Sequence, residues 1–548
     1  MHCCLRTPEL VRLICEHASL SSLAALARTC CFFHDPALTV LWRDIPSITP
    51  LLMCFPIGLV YPNGGQLWSK NRPILMLKRP FIPSDWSRFS MYASRVQTLG
   101  FSHEANIVDP RVHECLIHTM TFASKGAKLL PNVCAVSWNV PYGGEDFFSL
   151  VQQILTPNLT RLEIHVLDNW MIRRPLLPIL VEMPLKIEHV TLVAVAWGNQ
   201  NRTAISSAVC KWTILRTLEV NDLSYEGFTH IASLPSLRKL TVKDLSYVER
   251  MESSAKSGFP ALRRLTLTSL VMENCIGLLQ LMSNTPLSQF ICTFKRHSRS
   301  IVWQELFSTI RQNGSLIALR DVYLKDEKHD QQHFQNPNRL TEGECVLSVE
   351  HISPLFTFNM KSVVLRPSAG FSLKPNDLCV IATSWPYISR LTLGTGAPTS
   401  VPAGIKLCDL SVLAKHCPKL KKLALKLDTT PLPATDTARR AYKGVSLRRL
   451  HVGDSSMSHF PLDVAEHLQD MFPNLASLET LDGDRRRKEH STADLTLLEK
   501  RWRSVAKHLC RCSSCQLVAS KRLIKTAESD GLAVIRLHAT ATPYGQSE

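Results

Sequence analysis

No stretch of this 548-residue chain approaches 18 uninterrupted apolar residues, so no membrane-spanning helix is expected. The opening residues, Met1 to Arg6, hold one basic residue and no apolar run of signal-peptide length, so secretion is not expected. Catalytic signatures are missing as well. There is no phosphate-binding loop, no dinucleotide-type glycine pattern, no His-Glu-x-x-His and no Gly-x-Ser-x-Gly. An enzyme is therefore not expected, and no catalytic residue, cofactor site or metal site is assigned. His113, His118 and His189 have no chemical partner nearby in sequence and read as structural or solvated.

What the chain does contain is apolar residues (45%), a near-zero mean hydropathy and a formal charge of +17. The first two describe a soluble globular chain. The charge points to association with something acidic, whether protein, nucleic acid or membrane. Its densest runs are Arg485-Arg486-Arg487-Lys488 and the segment from Lys500 to Lys525. Basic residues elsewhere alternate with leucines and read as solvated faces, so neither nucleic acid nor membrane is the expected partner. The 18 cysteines lie scattered through apolar segments, as at Cys30-Cys31, Cys210, Cys275 and Cys417. Without a secretion signal they read as small buried hydrophobes in a reducing compartment, the cytoplasm or nucleus. Cys510-x-Cys512-x-x-Cys515 with His508 has the softness and number for zinc. The spacing is cramped and lacks a second ligand pair across a loop, so packed or tail cysteines are expected there.

Residues 1–46 read as three short helices. Thr7 is placed to cap the first, and Pro8 fits its first position, where a missing N–H costs nothing. Leu10, Leu13, Ile14 and His17 follow at helical spacing. Ser21 or Ser22 can cap a second helix with Leu23, Leu26, Ala27 and Cys30 inward. Asp35-Pro36 reads as the start of a third, carrying Leu38, Leu41 and Trp42. Helices this short need packing partners to persist.

The order Pro8-Glu9-Leu10, Leu13-Ile14, Ser22-Leu23-x-x-Leu26-Ala27, Thr29-Cys30 with Phe33, and Leu41-Trp42 resembles the F-box. The run Ala24-Ala25-Leu26-Ala27-Arg28-Thr29-Cys30 with Pro36-Ala37-Leu38 is similar to the expanded F-box sets of mushroom-forming fungi. It departs from the motif in having Thr7 where a leucine often stands and Glu9 directly after Pro8. The resemblance implies docking to a Skp-type adaptor and, through it, to a cullin–RING ubiquitin ligase. It implies an adaptor-binding set of Pro8, Glu9, Leu10, Leu13, Ile14, Leu23 and Trp42.

Behind the module a unit of leucine-x-x-leucine-x-leucine, with apolar substitutes, recurs. Starts fall at Val96, Val133, Leu159, Ile187, Leu215, Leu237, Leu262, Leu287, Leu316, Met360, Ile388, Leu420, Leu447 and Leu475. Most are separated by roughly 20 to 29 residues, the leucine-rich-repeat range. A proline stands two residues ahead of Leu159, Leu237, Leu262, Ile388, Leu420 and Leu475, where it ends a helix and turns the chain into a strand. One accidental match would mean nothing; this many, with proline in register, indicates a solenoid.

The expected architecture is thus α/β: a short helical F-box module (1–46), a linker region packed on the first repeat (47–94), an irregular leucine-rich-repeat solenoid (95–483) and a basic loop, capping helix and tail (484–548). The solenoid would have parallel strands on its concave face, helices outside, and a polar insertion near 325–345. Arg161, Arg216, Arg238, Arg264, Lys421 and Arg448 occupy slots between the leucines and are the candidate target-facing residues. The expected function is substrate recognition in a Skp–cullin–F-box ligase, with an unknown protein target. The alternatives are a repeat scaffold without a ligase role and, behind it, a basic nucleic-acid-binding repeat protein.

Overall fold

The computed structural model describes residues 7–63, 74–102, 107–123, 128–140, 153–166, 177–182, 186–194, 199–246, 258–282, 285–313, 318–327, 342–395, 399, 401–429, 444–457, 460–480, 497–512 and 534–536. The chain divides into two compact units, 1–243 and 244–548. Among the described residues no helix is long and apolar enough to cross a membrane.

The first unit opens with three helices, α1 (Pro8–His17), α2 (Leu20–Leu26) and α3 (Cys31–Arg43). Their shared core is Val11, Cys15, Leu23, Ala27, Phe33, Ala37 and Leu38. Thr7 is the residue ahead of α1, but its hydroxyl makes no capping bond. The cap of α2 is Ser19, whose Oγ accepts from Ser22 N at 3.2 Å, so that helix starts ahead of Ser21. Pro36 lies inside α3, which begins five residues earlier than Asp35-Pro36 indicates because Phe33 must be held in the core.

Helix α3 runs straight into strand β1 (Asp44–Ile45), which pairs in parallel with β4 (Thr98–Ser102) in the register Asp44↔Thr98. The intervening chain forms a side sheet, β2 (Val60–Asn63), β3 (Ile74–Leu77) and β5 (Ile107–Val108). Phe55, Phe81, Trp86 and Phe89 stack beside it, and Arg79 makes a bidentate pair with buried Asp85 at 2.7 and 3.0 Å. From β4 the sheet continues in parallel through β6 (Ala135–Val140), β7 (Arg161–Val166), β8 (His189–Ala194), β9 (Thr217–Val220) and β10 (Lys239–Leu245).

The second unit repeats the design. Strands β11 (Arg264–Ser269), β12 (Gln289–Phe294), β13 (Asp321–Asp326), β14 (Ser362–Arg366), β15 (Arg390–Leu393), β16 (Lys422–Leu425), β17 (Arg449–His451) and β18 (Ser477–Glu479) are parallel and in unbroken order. Strand β19 (Val534–Arg536) closes that edge antiparallel to β18. Helix Leu497–Cys512 lies against helix Pro461–Met471, burying Trp502, Val505 and Leu509, and Trp502 Nε1 donates to Ser455 O at 3.1 Å. This helix lies within the segment 484–548, where a capping helix is expected. The expected basic loop at 485–488 and most of the 325–345 insertion lie outside the described residues.

The repeat pattern has a direct structural meaning. The first, fourth and sixth positions of the unit are buried, as at Leu262, Leu265 and Leu267 or Ile388, Leu391 and Leu393. All six in-register prolines sit in a turn just ahead of a strand. One unit needs correction. Pairing of Gln289 with Asp321 aligns Leu287 with Leu319, so the unit expected from Leu316 begins at Leu319, with Val322 and Leu324 as its inward residues. Leu319→Ala is expected to lower stability by about 2–5 kcal/mol in urea denaturation. A loss within about 0.5 kcal/mol would place Leu319 outside the core stack.

Asp326, at the end of β13, is buried and accepts hydrogen bonds from the backbone of Ser368 and Ser298. Burial pushes its carboxyl up from 3.8 to about 6, against the downward pull of those donors. The folded state therefore favours the neutral acid. The stability this contributes is full below the unfolded pKa and is lost as pH rises through about 6. Between pH 4 and 7 the protein should lose roughly 3 kcal/mol relative to Asp326→Asn, read as diverging denaturation midpoints. Parallel pH curves for the two would contradict this.

Candidate functional site

Helix α1 has two apolar faces with different fates. Val11 and Cys15 are fully buried against α2 and α3, and burial pushes the Cys15 thiol up. Leu10, Leu13 and Ile14, at helical spacing on the other side, are 41%, 50% and 43% exposed. Four of the five positions 10–14 are large and apolar, so a helix of this length must turn some of them outward. Arg12 and Glu16 pair across one turn at 3.1 Å, both on the solvent side. Pro8 and Glu9 are exposed at the start, and Glu9 lies in the first turn, where a negative charge suits the helix dipole. Leu20 and Phe32, at the starts of α2 and α3, are also exposed.

Two residues of the adaptor-binding set stand elsewhere. Leu23 is 1% exposed, inside the module core, because α2 is only seven residues long and Leu23 is the residue it buries, with Ala27 just past its end. It supports the outward face without being part of it. Trp42 is half-buried and stacks on Tyr92 with ring centroids 4.4 Å apart. With the Arg95–Asp35 ion pair at 2.6 Å, this stack ties α3 to the helix ahead of the first repeat.

The six target-facing candidates are all exposed. They do not share one slot. Arg216, Arg238, Lys421 and Arg448 directly follow the unit's first leucine, whereas Arg161 and Arg264 stand one residue later, at the first position of their strands. In the first unit these slots neutralise one another: Arg216 Nε lies 2.9 Å from Glu188. His189, at a first strand position, bonds Thr217 Oγ1 through Nδ1 at 2.8 Å, and burial, with Arg161 nearby, lowers its pKa. The middle strand positions of β14 to β17, Val364, Thr392, Ala424 and His451, are buried. A ligand approaching the second unit's strands meets their entry edge, where Arg263, Arg320, Lys361, Arg390, Lys422 and Arg449 join Arg264, Lys421 and Arg448. Aligning the units on their first leucine would have found these residues, apart from Arg320, which the misplaced start at Leu316 concealed.

Among the described residues no group of three or more His, Cys, Asp or Glu side chains could hold a metal ion. The cluster Cys510–Cys515 lies outside the described side chains. A cavity at the exits of β15 and β16, lined by Gly394, Thr395, Gly404, Lys426 and Asp454, has about 20 Å³ of space, the size of one water molecule. Lys426 Nζ crosses it to Asp454 at 3.1 Å and Thr399 O at 3.0 Å.

No family model and no curated protein matches this chain. Among solved structures it is similar to a chain of the yeast Rad7–Elc1 complex at 11% identity, with a TM-score of 0.30, covering 68% of this chain and 82% of that one.

The two faces of α1 should respond differently to the same change. Val11→Asp puts a charge in the module core and is expected to cost about 3 kcal/mol or more. Leu13→Asp should stay within about 1 kcal/mol, from helix propensity alone. Limited proteolysis within residues 7–43 reads the difference, and equal sensitivity of the two variants would refute the assignment of faces.

Proposed function

We propose that this chain is the non-catalytic, substrate-recognition subunit of a Skp–cullin–F-box-type ubiquitin ligase. Helix α1 docks on a Skp-type adaptor, and the repeats hold a protein target. The observation that carries the reading is the exposed stripe Leu10, Leu13 and Ile14 on a helix whose other face is already packed. Covering what remains exposed is worth roughly 1 kcal/mol per side chain, enough to orient a partner but not to bind it alone. The rest of the docking energy would come from neighbouring residues, Pro8 and Glu9 among them. The parallel α/β solenoid suits the second half of the task, since a stack of strands offers a long surface of independently variable slots.

On this reading no bond is made or broken on this chain. It acts by proximity, holding the target beside a ubiquitin-charged enzyme and raising its effective concentration. That mechanism needs a stiff connection. Arg43 ends α3, and its carbonyl accepts from Gln97 N at 2.9 Å, so the docking helices continue into the sheet without a tether. The working compartment is the cytoplasm or nucleus.

Co-purification with a Skp-type adaptor tests the reading. The wild-type chain should be recovered, and Leu10→Asp with Ile14→Asp should abolish recovery while leaving the thermal midpoint within about 2 °C. Unchanged recovery of the double variant would remove the docking assignment. Recovery of adaptor without a cullin would favour the scaffold alternative.

A further inference from the structure

The two slots after each first leucine form columns along the entry edge of the second unit's sheet. They read Arg263-Arg264, Ser288-Gln289, Arg320-Asp321, Lys361-Ser362, Ser389-Arg390, Lys421-Lys422 and Arg448-Arg449 from β11 to β17. Nine of these fourteen positions are cationic and one is anionic. Backbone pairing fixes the columns side by side: Ser288, Arg320, Lys361, Ser389, Lys421 and Arg448 each bond the preceding column through their amides at 2.7–3.1 Å. Parallel strands lie about 4.8 Å apart, so the row extends about 29 Å over six intervals. Like charges at cross-strand distance disfavour the sheet that holds them.

The one carboxylate feels this field. Burial pushes the Asp321 carboxyl up, while Lys361, Arg320 and Arg264 pull it down, so three cations of the row surround a single acid. The first unit does not share this excess, because Glu188 faces Arg216 at 2.9 Å and Glu219 faces Lys243 at 2.7 Å. With the middle positions of β14 to β17 buried, the basic edge is what those strands present to solvent.

We infer that the entry edge of β11–β17 binds an extended, carboxylate-rich polypeptide segment. An extended chain rises about 3.3 Å per residue, so about nine residues match the row. Single-stranded nucleic acid is gripped by aromatic platforms as well as by charge. Among the described residues an exposed ring, Tyr387, lies beside this row with Lys419 Nζ already 4.9 Å over its centre, and Tyr323 on β13 is half-buried. Charge without a stacking row fits carboxylates better than bases. The inference rests on the receptor reading for its biological role, with the acidic segment as the recognition element of the target.

The test titrates the full chain with a labelled glutamate–serine peptide of about twelve residues, long enough to cover the row. A lysine–serine counterpart and single-stranded and duplex DNA of similar length are run beside it. Saturable binding of the acidic peptide is expected. Lys421→Glu with Arg448→Glu, and Arg264→Glu with Arg320→Glu, should each weaken it about tenfold or more, while Arg161→Glu in the first unit should leave it within about twofold. Tighter binding of either DNA than of the acidic peptide, or affinity unmoved by both double reversals, would overturn the inference. Adaptor recovery is measured on the same variants. Intact recovery with lost peptide selectivity condemns the surface alone, whereas failed recovery of the wild type with selective peptide binding condemns the receptor reading alone.

Discussion

One backbone interaction recurs from repeat to repeat within each unit. The carbonyl of the residue after the first leucine accepts two amides from the next repeat. Cys134 O takes Thr160 N at 2.8 Å and Arg161 N at 3.1 Å; Glu188 O takes Arg216 N and Thr217 N at 2.7 and 3.0 Å; Lys421 O takes Arg448 N and Arg449 N at 3.0 and 3.1 Å. A carbonyl has two lone pairs, and here both are used. Each fork fixes where a strand begins relative to its neighbour. It satisfies two amides at a point where the chain leaves a turn and has no strand partner yet. The register of the strands within each unit follows, and with it the columns in which side chains stand.

Because the fork starts each strand, the side chains in the two slots beside it are the least free to move apart. Leucines at the first, fourth and sixth positions are replaceable by Val, Ile, Met or Phe as long as they fill the interior. The slots at the fork face solvent and are chemically unconstrained by packing. That freedom is what permits nine cations on one edge, and the fork prevents them from relaxing by shifting register. A basic edge of this kind stays intact only because the hydrophobic stack beneath it outweighs its repulsion.

Much of this was legible in the sequence because the repeat follows two local rules, a buried leucine spacing and, ahead of six of its starts, a proline in the turn. Both act within a few residues, so they appear as pattern. Register across repeats does not. Leu316 and Leu319 both have an apolar residue three positions on, and pairing with β12 selects Leu319, the one whose sixth position, Leu324, is apolar as well. The N-terminal module was harder for a similar reason. Leu10, Leu13 and Ile14 were readable as a stripe, but the burial of Val11 and Cys15 beside them is decided by α2 and α3. Leu23 is a surface candidate by motif and a core residue by packing, and sequence spacing alone does not separate the two. Pro36 reads as a helix start, yet α3 accommodates it internally because Phe33 requires an earlier beginning.

The module and the sheet are one mechanical object in the first unit. Arg43 is both the last residue of α3 and the acceptor that positions Gln97 at the first repeat, and Trp42 beside it stacks on Tyr92. A displacement of α1 on a partner would pass through the Val11–Phe33–Ala37 core into α3, and from α3 into the first strand pair without crossing a loop. On the proposed receptor reading, this connection would limit the positions that a bound target can occupy. Side chains of the outward stripe can vary without harm to the fold, because nothing inside depends on them. Side chains of the inward face cannot, because the docking surface and the start of the sheet both hang on the same few contacts.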